Sequence, residues 1–143
     1  MMNFTIRQAA SPDVPAMHAV RSKVRENRLS DPGRITKASY LPYIAAGSAW
    51  VAETDAGIAG FAALSAPDAS VWALFVSPEA EGAGIGRALH DHMLESARDQ
   101  GIRLLSLSTE DGSRAANFYE RAGWTRAGIT ADGEAVFKKL LAT

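Results

Sequence analysis

Between residues 71 and 101 the chain runs from an apolar stretch through a glycine-spaced loop into an amphipathic repeat, and this order constrains the fold more than any other feature. Val71-Trp72-Ala73-Leu74-Phe75-Val76 has the length and the residue types of a buried strand. In Glu81-Gly82-Ala83-Gly84-Ile85-Gly86-Arg87, glycine at every second position lets the backbone pass close under a ligand. Ile85, Leu89, Met93 and Ala97 then recur every four residues, one face of a helix that Gly101 ends. A helix starting in such a loop aims unpaired N–H groups and its positive dipole end into it. The segment predicts a seat for an anionic group such as a pyrophosphate.

Two common anion seats are excluded by the residues that follow. A P-loop needs Lys then Ser or Thr after its last glycine, and here Arg87-Ala88 follow Gly86. A dinucleotide fingerprint begun at Gly84 needs Gly or Ala where Leu89 stands, and would sit on the first strand of the fold.

The rest of the chain reads as one mixed domain, residues 1–143. Phe4-Thr5-Ile6-Arg7 alternates like a half-buried strand, and Ser11-Pro12-Asp13 opens a helix to about Arg25 that buries Val14, Met17 and Val20 or Val24. Thr36 is expected to cap a second short helix that stops at Gly47. Residues 49–53, 58–64 and 71–76 form a predicted antiparallel meander with turns at Asp55-Ala56-Gly57 and Ala66-Pro67-Asp68. After the glycine loop and its helix come a strand at 104–108, a helix at 114–122 and a final hairpin turning at Asp132-Gly133.

Fifteen Lys and Arg against sixteen Asp and Glu leave a net charge of −1 with no basic run, which argues against a nucleic-acid partner. The chain has no cysteine, so thiolate metal sites, disulfides and cysteine nucleophiles are excluded together. No apolar run approaches membrane-spanning length, and a cytoplasmic protein without membrane partners is expected. His18, His90 and His92 are scattered and read as surface or rim residues, with no metal site expected. Ser106 and Ser108 lack a Gly-x-Ser-x-Gly elbow and so do not suggest a hydrolase.

Farther along, Ala115-Ala116-Asn117-Phe118-Tyr119-Glu120-Arg121-Ala122-Gly123-Trp124 follows the pattern Ala-x-x-Phe-Tyr-x-x-x-Gly-aromatic. This segment and the glycine loop, in register, resemble the two signature motifs of the GCN5-related N-acetyltransferase (GNAT) family. The resemblance implies an α+β fold, with a mixed, mostly antiparallel splayed sheet of about seven strands flanked by about four helices. It implies acetyl-coenzyme A as co-substrate, its pantetheine arm between the fourth and fifth strands. Main-chain groups of Phe75 and Val76 would meet the arm, those of Gly82, Ala83, Gly84, Ile85, Gly86 and Arg87 the pyrophosphate, and Phe118 would be a further contact. Dimerisation is common in the family, so a homodimer is an expectation of the resemblance.

Tyr119 would donate a hydrogen bond or proton to the departing thiolate, the role that the resemblance gives it. A backbone N–H of Val76 or Phe75, freed by a bulge, would stabilise the oxyanion. The fourth strand carries no carboxylate, so Glu26 is the candidate base, with Asn27, Asp31 and Trp72 as candidate acceptor contacts. The mixed charge of residues 25–32, with Tyr40, Tyr43 and Trp72, suits a small amine that also bears an acidic or polar group. A non-enzymatic acyl-coenzyme A binder and a protein or peptide N-acetyltransferase are the alternatives.

Two positions depart from the family pattern: Glu81 replaces the usual Gln or Arg, and Gly112 replaces an Asn. At an exposed site the repulsion between Glu81 and a pyrophosphate is screened to about 1 kcal/mol or less. Glu81→Gln is therefore expected to tighten coenzyme A binding modestly in calorimetry; unchanged or weaker binding would mean that Glu81 points elsewhere.

Overall fold

The structure, a computed structural model, describes residues 3–24 and 35–141. A short strand β1 (Thr5–Gln8) leads into α1 (Val14–Val24), which buries Val14, Met17 and Val20 and leaves Val24 exposed. The second helix is split into a 3-10 turn over Lys37–Tyr40 and a short α2 (Leu41–Ala45). Pro42 has no N–H to continue a regular ladder, so the chain tightens before it. Thr36 does not cap with its side chain; its N–H donates to Ser39 Oγ at 3.0 Å.

The meander follows as predicted, with β2 (Ala49–Thr54), β3 (Gly57–Ser65) and β4 (Ser70–Val76). Next come α3 (Ile85–Asp99), β5 (Leu104–Glu110), α4 (Arg114–Arg121), β6 (Thr125–Ile129) and β7 (Glu134–Leu140). All seven strands join one sheet in the order β1-β2-β3-β4-β5-β7-β6. Every neighbouring pair is antiparallel except β4 and β5, which run parallel.

That parallel pair is the point of interest. Ser70 opposite Ser106 is its single paired position, with Ser106 N–H donating to the Ala69 carbonyl at 3.1 Å. Beyond it the strands diverge. A register shift between Ala63 and Leu64, which face Ala73 and Val71, makes Trp72 the extra residue of a bulge in β4. The bulge thus lies at Trp72 and not at Phe75 or Val76, and it turns Trp72 and Ala73 to the same face of the sheet.

The two faces carry separate cores. On one, Ile85, Leu89, Met93 and Ala97 of α3 pack with Ala116 and Tyr119 of α4 over Ala62, Leu105 and Phe137. On the other, Met17 and Val20 of α1 pack with Tyr40 over Val51, Phe61 and Ala63. Among the described residues no helix is long and apolar enough to cross a membrane.

Gly60 lets α3 approach β3. A Cβ there would lie 2.9 Å from the Phe75 carbonyl oxygen and 3.2 Å from both Ile85 Cγ2 and Leu89 Cδ1. Gly60→Ala should therefore cost about 1–3 kcal/mol of stability through overpacking against backbone, read as a lower urea midpoint. An unchanged midpoint would show that α3 can move away freely.

Candidate active site

Divergence of β4 from β5 leaves a cleft of about 970 Å³ that passes through the sheet. β4 forms one wall, and the end of β5 with the start of α4 forms the other. The glycine turn borders it on the α3 face, and Arg21 of α1 borders it on the opposite face.

The turn is shaped by its backbone. Gly82 and Gly84 have φ of +88° and +84°, a region that side-chain-bearing residues rarely adopt. Gly84 caps α3 without any side-chain acceptor, and the first bond within the helix runs from Ala88 N–H to the Gly84 carbonyl at 3.1 Å. The N–H groups of Ile85, Gly86 and Arg87 consequently have no partner in the helix. Gly86 has room for a Cβ, 3.5 Å from Val76 Cγ2 and 3.7 Å from Phe118 Cε1, so packing does not require glycine there. Open space beside a run of unpaired N–H groups fits a pyrophosphate.

Gly82, Gly84, Ile85, Gly86 and Arg87 all border the cleft, as do Phe75, Val76, Phe118 and Trp72. Ala83 does not; it turns toward the core instead. The Arg87 side chain lies along the helix surface against Asp91 at 3.2 Å.

The pairing of β3 with β4 decides which main-chain groups face the gap. Ser77 N–H donates to the Ala59 carbonyl at 2.7 Å, and Phe75 lies opposite Phe61 in the same register. Alternation therefore commits the amide of Phe75 to β3 and turns those of Leu74 and Val76 toward β5. Val76 thus offers an N–H to the gap, but Phe75 does not. Leu74, which the sequence reading passed over, does.

Tyr119 borders the cleft from α4 and is 5% exposed. Among the described residues its hydroxyl has no hydrogen-bond partner, and burial holds the phenol's pKa above its ordinary value of 10.0. Its ring meets Trp124 at 5.3 Å, Phe118 at 5.3 Å and Phe137 at 6.3 Å. Ser113 starts α4 by accepting the Ala116 N–H at 3.1 Å, which sets the helix that carries Phe118 and Tyr119.

His90 is not a surface residue. It is 1% exposed, and its Nε2 accepts the Trp124 indole N–H at 2.9 Å. Indole is a donor only, so Nε2 is unprotonated and the proton sits on Nδ1, 2.9 Å from Asp91 Oδ1. The imidazole is neutral, and its ring packs edge-on to Phe118. Helical periodicity placed His90 beside the buried Leu89, but could not show the Trp124 partner.

The charged residues differ from expectation. Glu81, on the rim, pairs with Arg114 at the start of α4. Its charge is thus already partly balanced, and Glu81→Gln frees a cation as well as removing an anion. Glu26, Asn27 and Asp31 lie outside the described residues. Two carboxylates not foreseen, Glu110 and Glu134, border the cleft from the ends of β5 and β7, where they face each other across the strands. Ser108 Oγ donates to Glu134 Oε1 at 3.1 Å. Only the register of β5 on β7 brings them there, which is why the linear sequence concealed them. Trp72 stacks on Tyr43 at 4.3 Å and meets Tyr40 edge-on at 5.3 Å, forming an aromatic wall on the α1 face.

Residues 45–126 match the Acetyltransferase (GNAT) domain family, over more than half of the chain. The chain belongs to the GNAT acetyltransferase family. A mycothiol acetyltransferase from Sanguibacter keddieii is 35% identical over 112 residues, which is 68% of this chain and 36% of that protein. The chain thus spans about a third of that relative's length. A 5-NmdU N-acetyltransferase of Pseudomonas phage PaMx11 is 34% identical over 95 residues, covering 62% of this chain and 66% of that one. Among solved structures, PaiA N-acetyltransferase from Thermoplasma acidophilum in complex with coenzyme A superposes with a TM-score of 0.82 at 18% identity, covering 97% of this chain and 99% of that one. These matches confirm the splayed fold.

The neutral, buried His90 makes stability depend on pH. Burial lowers its pKa below the ordinary 6.5, with Asp91 pulling the other way, so the unfolded chain binds more protons as pH falls below that value. The contribution is complete above the unfolded pKa and is lost as pH falls toward the folded one. His18, lowered by burial and by Lys37 and Arg21, adds the same sign. The urea midpoint should fall between about pH 7.5 and pH 5, and His90→Gln, which can still accept from Trp124, should remove part of that fall. An unaltered slope in the variant would mean that His90 does not carry it.

Proposed function

We propose that this chain transfers an acetyl group from acetyl-coenzyme A to the primary amine of a small molecule, by direct attack in a ternary complex. The observation that carries the reading is the opened β4–β5 seam, with main-chain N–H groups turned to it from one wall and Tyr119 bordering it from the other. Direct transfer follows from the absence of cysteine to carry an acyl group. The relatives named as mycothiol and 5-NmdU acetyltransferases support a small acceptor.

The co-substrate supplies an acetyl group activated as a thioester. The N–H groups of Ile85, Gly86 and Arg87 would hold its pyrophosphate, and the main-chain groups of Leu74 and Val76 its arm. Whichever of these two amides faces the thioester carbonyl supplies the oxyanion contact, and it does so without reorganising because β3 holds the strand. Tyr119, whose raised pKa keeps it protonated, gives a hydrogen bond to the sulfur as the thiolate departs. Glu110 and Glu134, at the cleft wall, receive the amine's proton directly or through water.

An assay of free thiol release across a panel of amines tests this reading. The wild-type chain should release thiol with at least one small amine. Tyr119→Phe should reduce kcat by about 10²–10⁴-fold with the Kd for coenzyme A largely kept. Coenzyme A binding without turnover on any amine would leave a binder and overturn the proposal.

A further inference from the structure

We propose that Arg21 is the anchor for an anionic group, carboxylate or phosphate, that the acceptor carries beside its amine; this rests on the acetyl-transfer reading above. Arg21 projects from α1 into the cleft, its guanidinium carbon 5.0 Å from the centre of the Trp72 ring and 4.9 Å from that of Phe75. Among the described residues its buried Nη1 has no hydrogen-bond partner. Among the described residues no carboxylate pairs with it, although Arg7, Lys23, Arg87, Arg114 and Arg126 all have one.

A guanidinium stays charged at any physiological pH, and burying it without an anion is costly. The faces of Trp72 and Phe75 return part of that cost, but they satisfy none of its N–H groups. The Tyr40 hydroxyl, 2.9 Å from His18 Nδ1, is also a hydrogen-bond neighbour of Arg21, but a neutral oxygen does not balance the charge and leaves Nη1 unmet. The unmet need is for a planar or multidentate oxyanion, which the guanidinium fork matches.

The phosphates of the co-substrate are not that anion. Their seat is the glycine turn, on the face of the sheet that α3 covers, whereas Arg21 lies on the face that α1 covers. A molecule entering from the α1 face is the acceptor. The β4 bulge is part of the same device, since it turns Trp72 to the α1 face, where Tyr43 stacks behind it and Arg21 lies over it.

The experiment compares matched acceptors: L-amino acids against their carboxamides, and glucosamine 6-phosphate against glucosamine. Wild-type protein should prefer the anionic member of one pair by about tenfold or more in kcat/KM, expressed through KM. The pair that shows the preference identifies carboxylate or phosphate. In Arg21→Gln the preference should collapse to about twofold or less, with coenzyme A affinity kept, and Arg21→Lys should restore part of it. Calorimetry of the same acceptors with coenzyme A-loaded protein reads the anchor without turnover, so it tests Arg21 even if no amine is acetylated. The melting temperature of Arg21→Gln should be equal to or above wild type, because an unpaired buried charge has been removed.

Equal use and equal binding of charged and neutral members by the wild-type chain would overturn the proposal while leaving acetyl transfer intact. So would a lower melting temperature in Arg21→Gln with selectivity unchanged, or best activity on a peptide regardless of its charge.

Discussion

The structure depends on a sheet that stops pairing in its middle. Backbone N–H and C=O groups away from water are almost always paired, and an unpaired one costs as much as a lost hydrogen bond. Here β4 and β5 share one paired position and then separate, leaving the amides of Leu74 and Val76 turned into a cleft. Such an opening would close in a sheet free to twist shut. It stays open because each half of the sheet carries its own helix, α3 on β2, β3 and β4, and α4 on β5.

The two halves are held at a fixed separation by a buried polar contact. His90 belongs to α3, on the first half, and Trp124 immediately precedes β6, on the second; the hydrogen bond between them measures 2.9 Å. Around it, His90, Phe118, Tyr119 and Trp124 meet edge to face, which ties the position of the Tyr119 hydroxyl to that of α3. The helix whose N-terminus would form the proposed anion seat is therefore the same helix that positions the Tyr119 ring. A buried histidine kept neutral by an indole donor is a contact that acid weakens, so the geometry of the cleft and the stability of the fold share one titrating group.

Much of this arrangement was legible in the sequence, and what was missed has physical reasons. The glycine spacing, the period-four apolar face of α3 and the Phe118-Tyr119 segment are local patterns, so the glycine turn, the helix and the family fold could be read without a structure. The bulge could not be placed: a one-residue insertion leaves the apolar run 71–76 unchanged and shows only in the register with β3. For the same reason Phe75 looked as good as Val76, although their amides point in opposite directions. The Glu110–Glu134 pair, the His90–Trp124 bond and the Glu81–Arg114 pair join residues 24 to 34 positions apart. Local periodicity carries no information on contacts of that range.

Arg21 and Arg114, two of the arginines that border the cleft, sit in different electrostatic surroundings. Arg114 is exposed and already paired with Glu81, so it contributes little net field to the glycine turn, and the proposed anion binding there would fall to the backbone. Arg21 is half-buried, without a carboxylate partner among the described residues and framed by aromatic rings, so its field is screened less and acts over the α1 face, where the proposed acceptor would enter. A backbone seat suits a co-substrate of fixed chemistry, because main-chain N–H groups depend on local conformation and tolerate drift in the side chains around them. A lone guanidinium on a separate helix would suit the partner that has to be selected, since under the Arg21 proposal one substitution there would alter which anion is recognised and leave the sheet, the turn and the phenol in place.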